Sequence, residues 1–298
     1  MLDSASLIEA LAKCGPNPNS LSDFLGRPSL EIKREVSQLV TRDGLTVFPA
    51  VYSEGLGLRK VFLMLENAKI SYDVAKGFLH PIMSIFRGDL EEKLFSVIAF
   101  ADRTLEQEIR RLSEVLEPTF SLVGEIPETR KFIRDPHCYD FGRHRWLCED
   151  KVEMKPGAKL SSPDQEDVWA VTQIQANPSL NMKVIPHRWH VRKVVTGFMY
   201  VLGKTSLVVQ ALTKEDMSYD VPEIIWTARV QDFYLSEMHV DKEGLEKVME
   251  KIRPVSVKII VSPKSPRFAL GYTIPYEVFR NGSWSYPKIK ITVGTSST

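Results

Sequence analysis

Residues 58–126 switch between two hydrophobic periods in an order that few folds accept. The strand-like KVFLMLENA is followed by a helical run from Ser71 to His80, two strand-like stretches within SIFRGDLEEKLFSVIAFA, a helical run from Thr104 to Leu116, and the strand-like TFSLVGEI. Apolar residues at every second position line one face of a strand, and those at every third or fourth line one face of a helix. Thr104 reads as the cap of the second helix with Gln107 three residues on, and Leu105, Ile109, Leu112 and Leu116 as its inward stripe. A β-α-β-β-α-β order packs naturally as a sheet covered by two helices, a ferredoxin-like sandwich.

The residues before this unit read differently. Leu7, Ile8, Leu11 and Ala12 predict a helix that stops by Gly15-Pro16, since proline excludes the helical conformation before it. A short helix around Leu21 to Leu25, a turn at Gly26-Arg27-Pro28 and a helix capped by Ser29 follow, with Ile32, Val36, Leu39 and Val40 inward. LTVFPAVY then reads as a short strand pair in the position of a wing, which completes a winged helix-turn-helix.

Proline, glycine and clustered charge between Arg130 and Leu160 mark a linker. Beyond it the first pattern returns. A helix from Pro163 to Ala176 precedes a short helix after Asn177-Pro178, a turn near His187 to Trp189, and a longer helix with Val191, Val194, Val195, Phe198 and Val201 inward. SLVVQAL stands where a wing would, and EIIWTARV, a helix from Gly244 to Ile252, SVKIIV and FALGYTI follow. The expected fold is therefore α+β: a winged helix-turn-helix (1–55), a ferredoxin-like α/β domain (56–133), a linker (134–161), a second winged helix-turn-helix (162–214) and a shorter, degenerate α/β domain (215–298).

At 298 residues, 43% hydrophobic and 26% charged, the chain excludes disordered, collagen-like and disulfide-dense classes. No apolar run approaches the roughly 18 to 20 residues of a membrane helix, and the N-terminus lacks a basic-then-apolar leader. A cytoplasmic protein without a membrane partner is expected. Cys14, Cys138 and Cys148 are an odd count in such a chain, so reduced thiols are the expectation.

The net charge of +1 conceals an uneven distribution. No Asp or Glu lies between Val168 and Lys214, where the overall frequency predicts about six. The same stretch carries Lys183, Arg188, Arg192, Lys193, Lys204 and Lys214 with His187 and His190. From Lys251 onward Glu277 is the one acid against eight Lys or Arg. Basic surfaces attract polyanions by neutralising phosphate and releasing counterions.

The stretches LSDFLGRPSLEIKREVSQLVTRDGL, GLGLRKVFLML and NPSLNMKVIPHRWHVRKVVTGF give the chain a resemblance to Lrp/AsnC-like winged-helix regulators of archaeal type, with the unit duplicated. That resemblance implies that the helical parts bind duplex DNA and that the α/β parts dimerise or sense a small-molecule effector. The second recognition helix would present Arg192, Lys193 and Thr196 to the major groove, with Lys183, Arg188, His190 and Lys204 nearby. In the first unit Arg27, Ser29, Lys33, Arg34 and Ser37 form the corresponding polar face, beside Glu31 and Glu35.

His137, Cys138, His144 and Cys148 are four candidate zinc ligands within twelve residues, but their spacing is not that of a common knuckle, so no metal or other cofactor is expected. Catalytic fingerprints are absent: there is no P-loop, dinucleotide motif, nucleophile elbow or HExxH. The reading is a homodimeric, DNA-binding transcriptional regulator rather than an enzyme. Two alternatives stand beside it. One is a degenerate winged-helix module that binds a ligand or partner. The other rests on a resemblance to sirohaem decarboxylases, in which the α/β parts hold a tetrapyrrole; there Arg143, His144 and Arg145 would engage propionates.

Overall fold

A computed structural model of the chain describes residues 3–79, 83–88, 93–126, 129–148, 150–271 and 273–290, with the backbone alone at 129 and 130. Helix α1 (Ser4–Cys14) is capped by Asp3, whose carboxylate accepts the Ser6 N–H at 2.9 Å. Helix α2 (Pro18–Leu25) has proline in its first turn and the Asn17 side chain as its cap. Helix α3 (Ser29–Asp43) follows Pro28 with no side-chain cap, so Ser29 does not play the capping part expected of it. Strand β1 (Thr46–Val51) comes next as a single strand, and the hairpin expected at 45–52 does not form.

Strand β2 (Arg59–Glu66), helix α4 (Tyr72–Leu79), strands β3 (Met83–Arg87) and β4 (Leu94–Ala101), helix α5 (Arg103–Val115) and strand β5 (Phe120–Glu125) follow in the anticipated order. His80 and residues 89–92, which the sequence reading includes, lie outside the described residues. Asp102 rather than Thr104 caps α5, accepting the Leu105 N–H at 2.8 Å.

The segment read as a linker is structured. Strand β6 (Thr129–Arg134), a two-strand hairpin of β7 (Tyr139–Asp140) and β8 (Arg145–Trp146), and strand β9 (Lys151–Glu153) fill it. Cys138 and Cys148 flank the hairpin as a disulfide with Cα atoms 5.5 Å apart, which corrects the expectation of reduced thiols and leaves Cys14 free.

Helix α6 (Gln165–Ala176) opens with a capping box in which Asp164 and Asp167 each accept the other's backbone N–H. Helix α7 (Arg188–Val194) is seven residues long, and strand β10 (Val195–Val201) follows it directly. The longer helix expected over 191–201 is therefore corrected. The β-branched and aromatic side chains of VTGFMYV suit a pleated surface, and β1 supplies the ladder, with Thr46 opposite Val201 and Pro49 opposite Phe198.

Strands β11 (Leu207–Thr213), β12 (Ile224–Val230) and β13 (Phe233–Val240), helix α8 (Lys242–Ile252) and strand β14 (Ser256–Pro263) complete a second α/β half. The sequence reading passes over β13, and it takes β11 for a wing, whereas β11 is paired on both sides, by β13 and β14. Strand β15 (Ala269–Leu270) and a last hairpin, β16 (Phe279–Arg280) with β17 (Ser283–Trp284), end the described elements.

Two antiparallel sheets result, in the orders β15-β3-β4-β2-β5 and β14-β11-β13-β12-β6-β9. They pack face to face: Phe62, Met64 and Leu122 of the first meet Leu212, Val230, Leu235 and Ile260 of the second. Gly124 of β5 lies so close to Val230 that a β-carbon has no room there. The outer face of the first sheet is covered by Ala75, Leu105 and Ile109, in a core that reaches Val168 and Val171 of α6 and Val191 of α7. The outer face of the second takes Val248 and Ile252 of α8. Each fully buried aliphatic side chain stabilises such a core by roughly 1.5–3 kcal/mol. Among the described residues no helix is long and apolar enough to cross a membrane.

Candidate functional site

Where the β1–β10 ladder meets the edges of both sheets, the backbone leaves a cavity of about 390 Å³. Its walls are the end of β1 and the turn after it (Tyr52, Ser53, Glu54), Lys60 at the start of β2, Lys131 of β6, Thr196 of β10 and the segment 153–157. Lys60 keeps the register of Phe62 and Met64, which enter the packed interface between the sheets. Its ammonium group therefore stands at the open end of an apolar row. Lys131 reaches the same space from β6, and its Nζ donates to the Val51 carbonyl at 2.6 Å.

Two ammonium groups in one half-buried space disfavour each other's charge. Burial, and then the charge of Lys60, hold the Lys131 amine well below its ordinary value. Burial lowers Lys60 as well, partly offset by its hydrogen bond with Lys131 and by the charges of Glu54 and Glu237. Glu54 is engaged by the Tyr52 hydroxyl, which donates to it at 3.0 Å. Gly157 closes the wall: a β-carbon there would lie 2.5 Å from the Lys193 carbonyl oxygen and 2.7 Å from Tyr52 Cβ, so only glycine lets this segment lie flat. Chemically, the cavity can accept an anion that restores charge to both amines, or it can offer an uncharged amine.

A second cluster gathers at the start of α6. The buried Asp167 carboxylate lies 3.2 Å from His187 Nδ1 and 3.1 Å from His190 Nδ1. The His187 ring also stands 3.2 Å from both Asp164 and Glu166, on a backbone with φ of 50°. Burial pulls His187 down, but the surrounding carboxylates outweigh it and hold the imidazolium above its ordinary value. Asp167, His187 and His190 together offer one carboxylate and two imidazoles close enough for one metal ion.

The residues expected to contact DNA do not assemble into one surface as free donors. Arg27 is held by Glu35 at 2.7 Å and by Glu31 at 3.3 Å. Lys183 pairs with Asp23 at 2.5 Å, and His190 faces Asp167. Thr196 sits in β10, where its hydroxyl donates to the Ala50 carbonyl. Arg188 and Arg192 flank the exposed Trp189 ring, each 5.2 Å from its centre. Lys33, Arg34, Ser37, Lys193 and Lys204 are exposed, and Ser29 is half-buried. Nor do the zinc candidates converge: the two cysteine sulfurs are bonded to each other, His137 faces Glu9 and His144 faces Asp43.

Sequence reasoning missed Lys60, Lys131 and Asp167. Lys60 had a legible signal, a cation in phase with the inward residues of its strand. Lys131 falls where the strand and helix periods break down after Arg130, at the end of the expected α/β domain, and Asp167 reads simply as part of a helix start.

No family model matches the chain, and no curated protein does. Among solved structures, the crystal structure of the siroheme decarboxylase NirDL is similar, with 12% identity and a TM-score of 0.46 over 87% of this chain and 89% of that one. The same enzyme in co-complex with an iron-uroporphyrin III analogue aligns at 11% identity and a TM-score of 0.45, over 86% and 89%. The expectation of a DNA-binding transcriptional regulator is corrected here. The helix expected to read a groove ends at Val194, giving way to a strand that pairs with β1, and the expected donors Arg27, Lys183 and His190 face carboxylates.

Proposed function

We propose that the chain binds a small carboxylate-bearing molecule in the cavity between Lys60 and Lys131. The carrying observation is the pair of amines facing one space, where neither charge is matched by a carboxylate at salt-bridge distance among the described residues. A ligand carboxylate between them lets both amines take up protons, so binding draws its strength from the repulsion it relieves. The volume falls at the lower end of the roughly 300–1,000 Å³ usual for small-molecule sites.

The scaffold is read as a duplicated Lrp/AsnC-like arrangement, with the first α/β half ferredoxin-like in strand order and the second abbreviated. What supports this is the β-α-β-β-α-β order of β2 to β5 and the three helices before it. Within the carboxylate class, a carboxylated tetrapyrrole is the specific alternative, its acid groups at the lysines and its ring outside the cavity.

Calorimetric titration of the full chain with citrate, and absorbance titration with iron-uroporphyrin III, test the proposal. Saturable binding that Lys131→Met weakens by roughly tenfold or more, with proton uptake, is expected. Binding unchanged by that substitution, or none with either probe, overturns it. A saturable Soret change lost in the variant selects the tetrapyrrole.

A further inference from the structure

At the far end of β3 another cation lies in the protein's interior, with no counter-ion at salt-bridge distance among the described residues. Arg87 is 8% exposed, because it follows Met83 and Ile85 on the inward face of its strand. Among the described residues its guanidinium has no hydrogen-bonding or ionic partner, and Nε is buried and unsatisfied. Burying an unpaired charge is costly, and native proteins pair such groups almost without exception.

The surroundings hold the group in place. The guanidinium carbon lies over two aromatic rings, 4.9 Å from the centre of Tyr72 and 4.7 Å from that of Phe268. Its backbone is pinned as well: the Arg87 N–H donates to the Phe268 carbonyl at 2.8 Å, and the Ser262 hydroxyl donates to the Arg87 carbonyl at 2.5 Å. The hydroxyl of Tyr72, itself 3% exposed, is a second buried group with no partner among the described residues. Arg87 and Tyr72 both line a cavity of about 570 Å³, with Ser71, Asp73, Lys93 and Phe95 around them.

We propose that this cavity is a binding site for a small monocarboxylic acid, whose carboxylate lies in the Arg87 plane and accepts from the Tyr72 hydroxyl. A planar guanidinium fork matches a carboxylate with two parallel hydrogen bonds. Asp73 lines the cavity together with Lys69 and Lys93, so the planar fork and the apolar wall, rather than charge alone, favour a monocarboxylate over phosphate. Phe95 offers the apolar surface that the rest of such an acid requires. The site is separate from the lysine cavity and does not rest on the reading given to it.

Titration of the full chain with sodium benzoate at constant ionic strength, followed by calorimetry, tests the assignment, with inorganic phosphate as comparison. Benzoate is expected to bind saturably at one site. Arg87→Lys keeps the charge but loses the fork, and Tyr72→Phe removes the hydroxyl; each weakens binding by about tenfold or more, as expected for a hydrogen bond to a charged group. Ligand-free Tyr72→Phe is expected to melt no lower than the parent, which separates lost binding from lost folding. The titrations are run on Lys131→Met, so that the lysine cavity makes no contribution to them. Benzoate binding that is absent, or that survives both substitutions, overturns the proposal, as does binding of phosphate in preference to benzoate.

Discussion

Across the junction of the two sheets, the Ser96 hydroxyl donates to the Gln210 side-chain carbonyl at 2.5 Å, with both residues fully buried. This polar bridge sits beside an apolar interface and connects β4 to β11, strands from opposite halves of the chain. Ser96→Ala strands the Gln210 oxygen in the dry and is expected to cost about 1–3 kcal/mol in chemical denaturation. Ser96→Ala with Gln210→Leu removes both partners and is expected to recover most of that loss. A double variant less stable than either single one contradicts this account.

The lysine cavity predicts a gain of stability from losing a charge. Lys131 has a proton affinity lowered on folding, so the unfolded chain binds more protons between the folded value and the ordinary lysine range. Stability therefore rises with pH across that window and is reduced below it. Lys131→Met is expected to stabilise the ligand-free protein by on the order of 1 kcal/mol at neutral pH and to flatten the pH dependence. Denaturation midpoints of parent and variant at several pH values between neutrality and the lysine range measure both effects.

His187 gives the opposite sign. Its imidazolium is held above the ordinary value by Asp164, Asp167 and Glu166, so its contribution is complete below the unfolded value and is lost as pH rises through the folded one. The His187 resonances in a proton NMR titration are expected to move with a midpoint above the ordinary histidine value. His187→Gln removes the corresponding loss of melting temperature on passing to mildly alkaline pH. A midpoint below the ordinary value rules this out.

Gly157→Ala places a methyl group against the Lys193 carbonyl and Tyr52. The 153–157 segment must then lift, which opens the lysine cavity. Citrate binding is expected to weaken several-fold while stability falls by about 1–3 kcal/mol, the usual cost of forcing extra volume into a packed site. An unchanged affinity together with an unchanged melting temperature shows that the wall is not fixed there.

Much of the first α/β half is legible in the sequence, since β2 to β5 each carry a strong period and the helices between them a clear apolar stripe. What defeats the reading beyond residue 129 is partnership over long sequence distances. Val195 to Val201 has apolar residues that fit a helical stripe as well as a strand, and the presence of β1 decides between them. The binding residues were hidden for a related reason. Lys131 becomes a site residue when β6 joins β12 and turns it toward Lys60, and Arg87 is notable because it shares the inward face of Met83 and Ile85. The acid-free stretch from Val168 to Lys214 misled: its cations are partly neutralised by Asp23 and Asp167, one before the stretch and one at its boundary.

The ladder between β1 and β10 also dictates a schedule for the newborn chain. Its first strand leaves the ribosome long before its second, and at roughly 5–20 residues per second the wait is on the order of ten seconds. During that interval β1 is an unpaired edge, the kind of template on which neighbouring nascent chains can pair wrongly. Pro49, in the middle of β1, has no N–H to donate and so serves as a built-in guard for the strand while it waits.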